Sequence, residues 1–308
     1  VFVPGVAAGS PMYEQMVAGV QKAAAELPNV TVKVLEAGFN QAEWPEKMMS
    51  FAATGAYTYI VTANPSMPAV CADAAKAFPR QKFMIFDAKL PNNPQFYTVQ
   101  YNNREQGYIA GYFAGLVTKS SMKGATPDLK VGAIVAQEYP ALTKEMIPGY
   151  TQGFQAVDPA ITLDYRVIGN WWDANKAADL ANSMMDAGVD VILSIAGGAG
   201  QGTIKAAQAR GRYIVYFDSN VYKLAPGTII GCAVLDQERI VVETLKKALA
   251  GKLAFGKADI VNAKAGYVDF ADKDPLYLNN VAADIVAKMA DMMKKFRDGS
   301  LSLPVPQM

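Results

Sequence analysis

The chain has 308 residues, half of them apolar, and 29 Lys and Arg against 28 Asp and Glu give a formal charge of +1. That length fits roughly two domains of about 150 residues each, and the scattered charges form no basic stripe for nucleic acid or an anionic membrane surface. Histidine is absent, which excludes Ser-His and Cys-His mechanisms and histidine metal sites.

VFVPGV opens the chain as a strand, and a helix is expected over 11–27, with Met16, Val20, Ala23, Ala24 and Leu27 on one apolar stripe. TVKVLEAG precedes a helix over 42–54, and YTYIVTA precedes one over 66–77. KFMIFDA and FYTVQY follow as strands, then a helix over 103–118. Short β-rich runs between amphipathic helices predict parallel strands covered on both faces. The order then restarts. KVGAIVA leads to a helix over 142–157, ITLDYRVIG to one over 174–187, and VDVILSIAG to one over 201–210. YIVYFDS and TIIGCAV follow, then helices over 237–250 and 284–297, the latter Met-rich and read as core.

The halves match at a near-constant offset. Gly19 and Gly149 are 130 residues apart, Gly38 and Gly169 131, Ile60 and Ile192 132, and Asp87 and Asp218 131. A duplicated α/β unit is expected, and loops at the carboxyl ends of such strands are where open α/β sheets bind ligands. Two similar lobes facing each other would put both sets of loops on one cleft.

The loop GGAGQG (Gly197–Gly202) with Asp218 on the next strand invites a dinucleotide-enzyme reading, since that fold wants an acid some twenty residues on. Its spacing is G-x-G-x-G with Thr203 in place of the last glycine, so the fingerprint fails. Gly197 and Gly198 are read instead as a tight turn that touches a ligand. An NAD-type dehydrogenase and a transcription-factor effector domain, or sugar-binding domain, of the same fold stay as alternatives. No metal-ligand spacing, Walker loop or nucleophile elbow occurs, and no cofactor is expected.

Candidate ligand contacts come from the strand-end loops. Ser10 before Pro11 is explained as a helix cap, whereas Tyr13 in the first turn presents a ring. Phe39, Asn40 and Trp44 lie in one loop, and Asn170, Trp171, Trp172 and Asp173 in its repeat partner; all three tryptophans fall there. Aromatic faces in such loops stack on flat rings. Asp87 and Asp218 end equivalent strands and suit paired hydroxyls. Asn64, Asn102 and Asn220 are weaker, as Asn is common in turns, and Asp236 reads by default as the cap of helix 237–250. Cys71 and Cys232 are read as two buried thiols. No apolar run approaches the ~20 residues of a membrane span. The chain opens inside a strand on Val1, so an upstream segment is expected to have been removed.

The stretches VFVPGVAAGSPMYEQMVAGV, YNNREQGYIAGYFAGLV, GNWWDANKAADLANSMMDAGVDVIL, AGGAGQGTIKAA and AKAGYVDF resemble, in that order, the basic membrane protein family. These are purine-nucleoside-receptor-like solute-binding lipoproteins of ABC importers. The resemblance implies an α/β chain of the type I periplasmic-binding-protein fold: two Rossmann-like lobes, a central cleft and three crossovers. The lobes would be 1–119 with 236–263 and the C-terminal helix, and 120–235 with about 264–275. It implies no enzymatic activity, a small-molecule ligand, an ABC permease as partner, and a periplasmic or cell-surface location on an N-terminal lipid. Tyr13 would replace the family's stacking Phe, while Glu14 stands where an Asn is usual. Asp87 matches the family aspartate, Asp236 a sugar-hydroxyl aspartate, and Lys264 the lysine of an L-K-x-G-G-V stretch. Trp171 would replace a second stacking Phe. A flat heterocycle with a ribose-like arm is expected, purine nucleoside first and riboflavin close behind.

Overall fold

The computed structural model describes residues 1–27 and 29–305. In chain order the elements are β1 (Phe2–Val3), α1 (Pro11–Ala25), β2 (Leu35–Glu36), α2 (Trp44–Ala53), β3 (Tyr59–Ala63), α3 (Met67–Ala77), β4 (Lys82–Phe86), β5 (Phe96–Tyr101) and α4 (Asn103–Thr118). There follow β6 (Lys130–Val135), α5 (Ile147–Val157), β7 (Thr162–Val167), α6 (Ala174–Asp186), β8 (Val189–Ile195), α7 (Gly200–Ala209), β9 (Tyr213–Asp218) and β10 (Ile229–Leu235). Last come α8 (Gln237–Leu249), β11 (Ala258–Val261), β12 (Val268–Phe270), α9 (Pro275–Asn280) and α10 (Ala283–Asp298). Most expected helices sit within two residues of their place. The helix expected over 142–157 begins instead with a π-helical turn, Leu142–Met146, before α5.

The chain divides into two compact units, Val1–Tyr101 with Asp236–Val261, and Asn102–Leu235 with Asn262–Met308, so it passes between them three times. The first holds a parallel sheet ordered β11-β5-β4-β3 and a short parallel pair β1-β2. The second holds one sheet ordered β12-β10-β9-β8-β6-β7, parallel except where β12 runs antiparallel on β10. Every residue of β5 and of β8 is buried, as parallel strands covered on both faces require. In the first unit Phe2, Met48, Phe51, Ile60, Met67, Phe83 and Phe96 pack into one core. Cys71 and Cys232 are buried free thiols, and burial raises both their pKa values.

The duplication is written into the backbone. Gly38 and Gly169 both take left-handed φ, 72° and 95°, and so do Asp87 and Asp218, 52° and 72°. Asn102 and Asp236 each cap a helix that follows the fifth strand of its repeat, accepting from Glu105 N and Arg239 N.

Those two capped helices are exchanged. α4 follows β5 of the first unit but packs on α5 of the second, and α8 follows β10 of the second but packs on α1 of the first. Glycine makes both crossings possible. A Cβ on Gly111 would stand 2.0 Å from Tyr150 O, one on Gly107 2.2 Å from Met146 O, and one on Gly149 2.3 Å from Arg104 O. In the first unit Gly19, the repeat partner of Gly149, would meet Glu238 O at 2.8 Å.

This arrangement differs from the expected lobe boundaries at two places. α4 belongs with the second unit, because its glycine face meets α5 backbone to backbone. The C-terminal helix α10 belongs there too: Phe296 packs edge-on against Tyr108 of α4, 5.7 Å between centroids, and Arg297 pairs with Asp269 and Asp272. Beyond it, Leu303 is pinned through its backbone: Asn102 Nδ2 donates to Leu303 O at 2.7 Å, and Leu303 N donates to Glu105 Oε1 at 3.3 Å. The other oxygen of Glu105 accepts from Ala263 N at 2.8 Å.

Candidate functional site

In the first unit β1, β3 and β4 end at the carboxyl edge of their parallel strands, and the loops there carry the candidate groups. Tyr13, in the first turn of α1, lies with its ring over Gly5, whose Cβ would come within 3.3 Å of Cε2. Its hydroxyl accepts from Asn64 Nδ2 at 3.2 Å. Burial raises the phenol to about 12, the Asn64 bond opposes the rise, and the charge of Asp87 adds to it. The structure therefore brings Tyr13, Asn64 and Asp87 together. Asn64 itself is held at φ 136° with Oδ1 accepting from Ser66 N and Ser66 Oγ. Phe39, 52% exposed, borders the same glycine, with Cε1 3.9 Å from where a Gly5 Cβ would stand. Ser10 occupies the helix N-cap, but its hydroxyl makes no capping bond; its carbonyl accepts from Tyr13 N and Glu14 N, and Glu14 Oε1 accepts from Gly9 N.

Two residues of this loop group turn elsewhere. Trp44 is a core residue, 4% exposed, with Nε1–H donating to Gly38 O at 2.8 Å. Its ring packs under its own helix and offers no stacking face, which corrects the expectation for this tryptophan. Asn40 donates to Glu43 Oε1 at 2.7 Å and so steadies the entry to α2.

In the second unit β6, β8 and β9 end beside one another. Trp171 is half-buried; its Nε1–H donates to Gln137 Oε1 at 3.0 Å and its carbonyl accepts from Ala199 N at 2.9 Å. Its six-membered ring rests over Gly197, where a Cβ would stand 3.2 Å from Cε3. Gly197 takes φ 52°, and Gly197–Ala199 form one 3-10 turn. The glycine loop is thus a tight turn that seats an indole. Trp172 is 60% exposed. Asp218 ends β9, and Oδ1 accepts from Nε2 of the fully buried Gln106 at 2.9 Å; the same nitrogen donates to Ala233 O. Burial lifts the Asp218 carboxyl to about 6, against the pull of the Gln106 bond.

The remaining expected contacts have structural partners. Asn220 donates to Asp274 Oδ2 at 2.7 Å and joins the loop after β9 to α9. Both oxygens of Asp236 accept from Arg239, Oδ1 from the backbone N and Oδ2 from Nε, so the capping role holds. Lys264 is exposed, and its stem lies along Gly299 at the end of α10, where a Cβ would meet Cδ at 2.7 Å. Sequence reasoning missed Gln137 and Gln106, the amides that hold Trp171 and Asp218; a lone glutamine past a strand end or on a helix carries no spacing signal. A groove on α4 and α5, lined by Arg104, Thr143, Pro148 and Gln152 among others, lies on helices and not at the strand ends. Among the described residues no cluster of acids or thiols forms a metal site, and no helix is long and apolar enough to cross a membrane.

Two α/β units built on parallel sheets define a type I periplasmic-binding-protein architecture. A solute-binding protein of an ABC transporter system from Aeropyrum pernix K1 superposes with a TM-score of 0.87 over 100% of this chain and 93% of that one, at 19% identity. The chain belongs to the Bmp family, ABC transporter substrate-binding proteins of PnrA-like type, whose model matches residues 1–296; it is a family of binding proteins, not enzymes. Relatives include the CD4+ T-cell-stimulating antigen of Listeria monocytogenes, 25% identical over 75% of this chain. The ABC transporter nucleoside-binding protein BmpA of Lactococcus lactis is also 25% identical over 75%. The chain spans 66% of the length of either relative.

Proposed function

We propose that this protein is the extracytoplasmic substrate-binding component of an ABC importer and takes a flat heterocycle with a hydroxylated arm. The carrying observation is that each unit holds, at its own strand ends, a half-buried tethered ring and an aspartate in left-handed conformation: Tyr13 with Asp87, and Trp171 with Asp218. Rings stack on rings, worth roughly 0.5–1.5 kcal/mol each beyond burial, and carboxylates accept from hydroxyls. Ser10, Phe39, Asn64, Gly197 and Gly198 line the same loops. A purine nucleoside is the first choice, supported by the Lactococcus relative being a nucleoside-binding protein. Riboflavin is second, favoured by the adjacent pair Trp171 and Trp172. The loaded protein would dock on a membrane permease. Attachment through an N-terminal lipid on an upstream segment belongs to this reading.

Mass spectrometry of the small molecule that co-purifies, followed by calorimetry with adenosine, guanosine, inosine and riboflavin, tests it. Micromolar or tighter binding of one of these is expected. A co-purifying ligand without an aromatic ring, or no binding of all four, refutes the ligand class.

A further inference from the structure

We infer that Gln137 is a positioning residue that holds the Trp171 indole as a preset plate, with Gly197 as its backing, for a flat ring of the ligand. The inference rests on the proposed function and deepens it.

An indole swings about two side-chain torsions. Three restraints act on Trp171. Its ring N–H is bound by Gln137 Oε1 at 3.0 Å. Its backbone is tied by Ala199 N at 2.9 Å. Its six-membered ring lies over the bare Cα of Gly197, where even a methyl group would crowd Cε3 at 3.2 Å. The indole nitrogen only donates, so the glutamine must turn its oxygen inward; its Nε2 then faces Gly169 O at 3.4 Å. Gln137 therefore bridges the loop after β6 to the loop after β7, and the glycine turn after β8 supplies the seat. Three strand ends converge on one ring.

The first unit builds the same device from other strand ends. The Tyr13 ring lies over Gly5 and its polar tip is held by the side-chain amide of Asn64. In both units a half-buried ring has glycine beneath it and an amide at its polar tip. A core aromatic such as Trp44, by contrast, is covered by side chains and gives its N–H to a backbone carbonyl. A plate fixed before the ligand arrives saves the ordering cost of a free side chain, which corresponds to roughly five- to tenfold in affinity.

The test uses Gln137→Met, which keeps the volume and removes the acceptor, and Gln137→Glu, which keeps an acceptor, both in a Trp172→Phe background. Trp44, in the core of the first unit, contributes a constant signal. Without ligand, Gln137→Met is expected to shift the Trp171 emission and raise its quenching by acrylamide, while Gln137→Glu restores both. With riboflavin and adenosine as probes, Gln137→Met is expected to weaken the binding probe about five- to tenfold, and to cost nothing further when Trp171 is already Phe. Unchanged emission and quenching in Gln137→Met overturns the inference. So does a changed emission with unchanged affinity for a probe that binds the wild type. Failure of both probes to bind the wild type counts against the proposed ligand class, and the ligand-free measurements still decide whether Gln137 holds the ring.

Discussion

Replacing Gly111 by Ala tests the exchanged helix packing. The new Cβ would stand 2.0 Å from Tyr150 O, a backbone atom that cannot rotate away. An ordinary C···O contact is about 3.3 Å, so α4 and α5 must part by more than about 1 Å. Their close approach also depends on Gly107, Gly149 and Gly153, where a Cβ would stand 2.2, 2.3 and 2.2 Å from backbone oxygens. Overpacking of this kind costs roughly 1–3 kcal/mol or more, and alanine returns up to about 1 kcal/mol of helix propensity. The net expectation is a loss of about 2 kcal/mol in the second unit, or roughly 4–8 °C for a unit of that size. Gly19→Ala is the milder comparison, since its Cβ would meet Glu238 O at 2.8 Å and Val241 Cβ at 2.9 Å and needs a smaller parting of the helices than Gly111→Ala. That variant is expected within about 1 kcal/mol of wild type. Urea unfolding separates the two, because Trp44 reports on the first unit and Trp171 and Trp172 on the second. A Gly111→Ala protein as stable as Gly19→Ala refutes the close packing of α4 on α5.

Asp218 carries a pH signature. Its folded pKa is raised to about 6 from the ordinary 3.8, so the folded state holds its proton more tightly and stability falls as pH rises from about 4 to 6. The loss is roughly 2 kcal/mol after allowing for partial exposure. Asp218→Asn tolerates the left-handed backbone and still accepts from Gln106; it is expected to be the more stable protein at pH 7 with the gain fading toward pH 4, and equal urea midpoints at pH 7 contradict this. Asp87→Ala is expected to cost at least ~1.5 kcal/mol of ligand affinity by leaving a polar ligand group unpaired; calorimetry showing no change removes Asp87 from the site. Glu105→Ala strands the buried amides of Ala263 and Leu303, at about 2 kcal/mol or more, and those two amides should exchange faster; unchanged hydrogen exchange there contradicts the assigned bonds.

Element type and order were legible because apolar periodicity is strong here, and the repeat offset marked Asp87 and Asp218 as equivalent strand ends; that both take a left-handed backbone was not legible. Other features left no local trace. The run TVKVLEAG reads as a full strand, yet only Leu35–Glu36 pair with β1, since β1 itself is two residues long. The partner of α4 was misplaced because chain adjacency favours the sheet just completed, and only the density of glycines at 107, 111, 149 and 153 hints at a helix-on-helix contact. Trp44 could not be told from Trp171 because a tryptophan near a helix start reads alike whether its ring turns inward or outward. Tyr13 and Asp87 were visible as strand-end residues; Gln137 was not, because its role depends on a loop more than thirty residues further on.

The exchange of α4 and α8 sets an order of assembly during synthesis. The first sheet waits for β11 to cover its β5 edge, and α1 waits for α8, both supplied by residues 236–261. About 160 residues separate Tyr101 from Val261, and at roughly 5–20 residues per second the amino-terminal segment stays incomplete for on the order of ten to thirty seconds. The second unit has no such delay for α4, which is made before the sheet it joins. The second unit in turn is completed only when β12 and α10 arrive, so each unit of the nascent chain is closed by a segment made after the strands of the other.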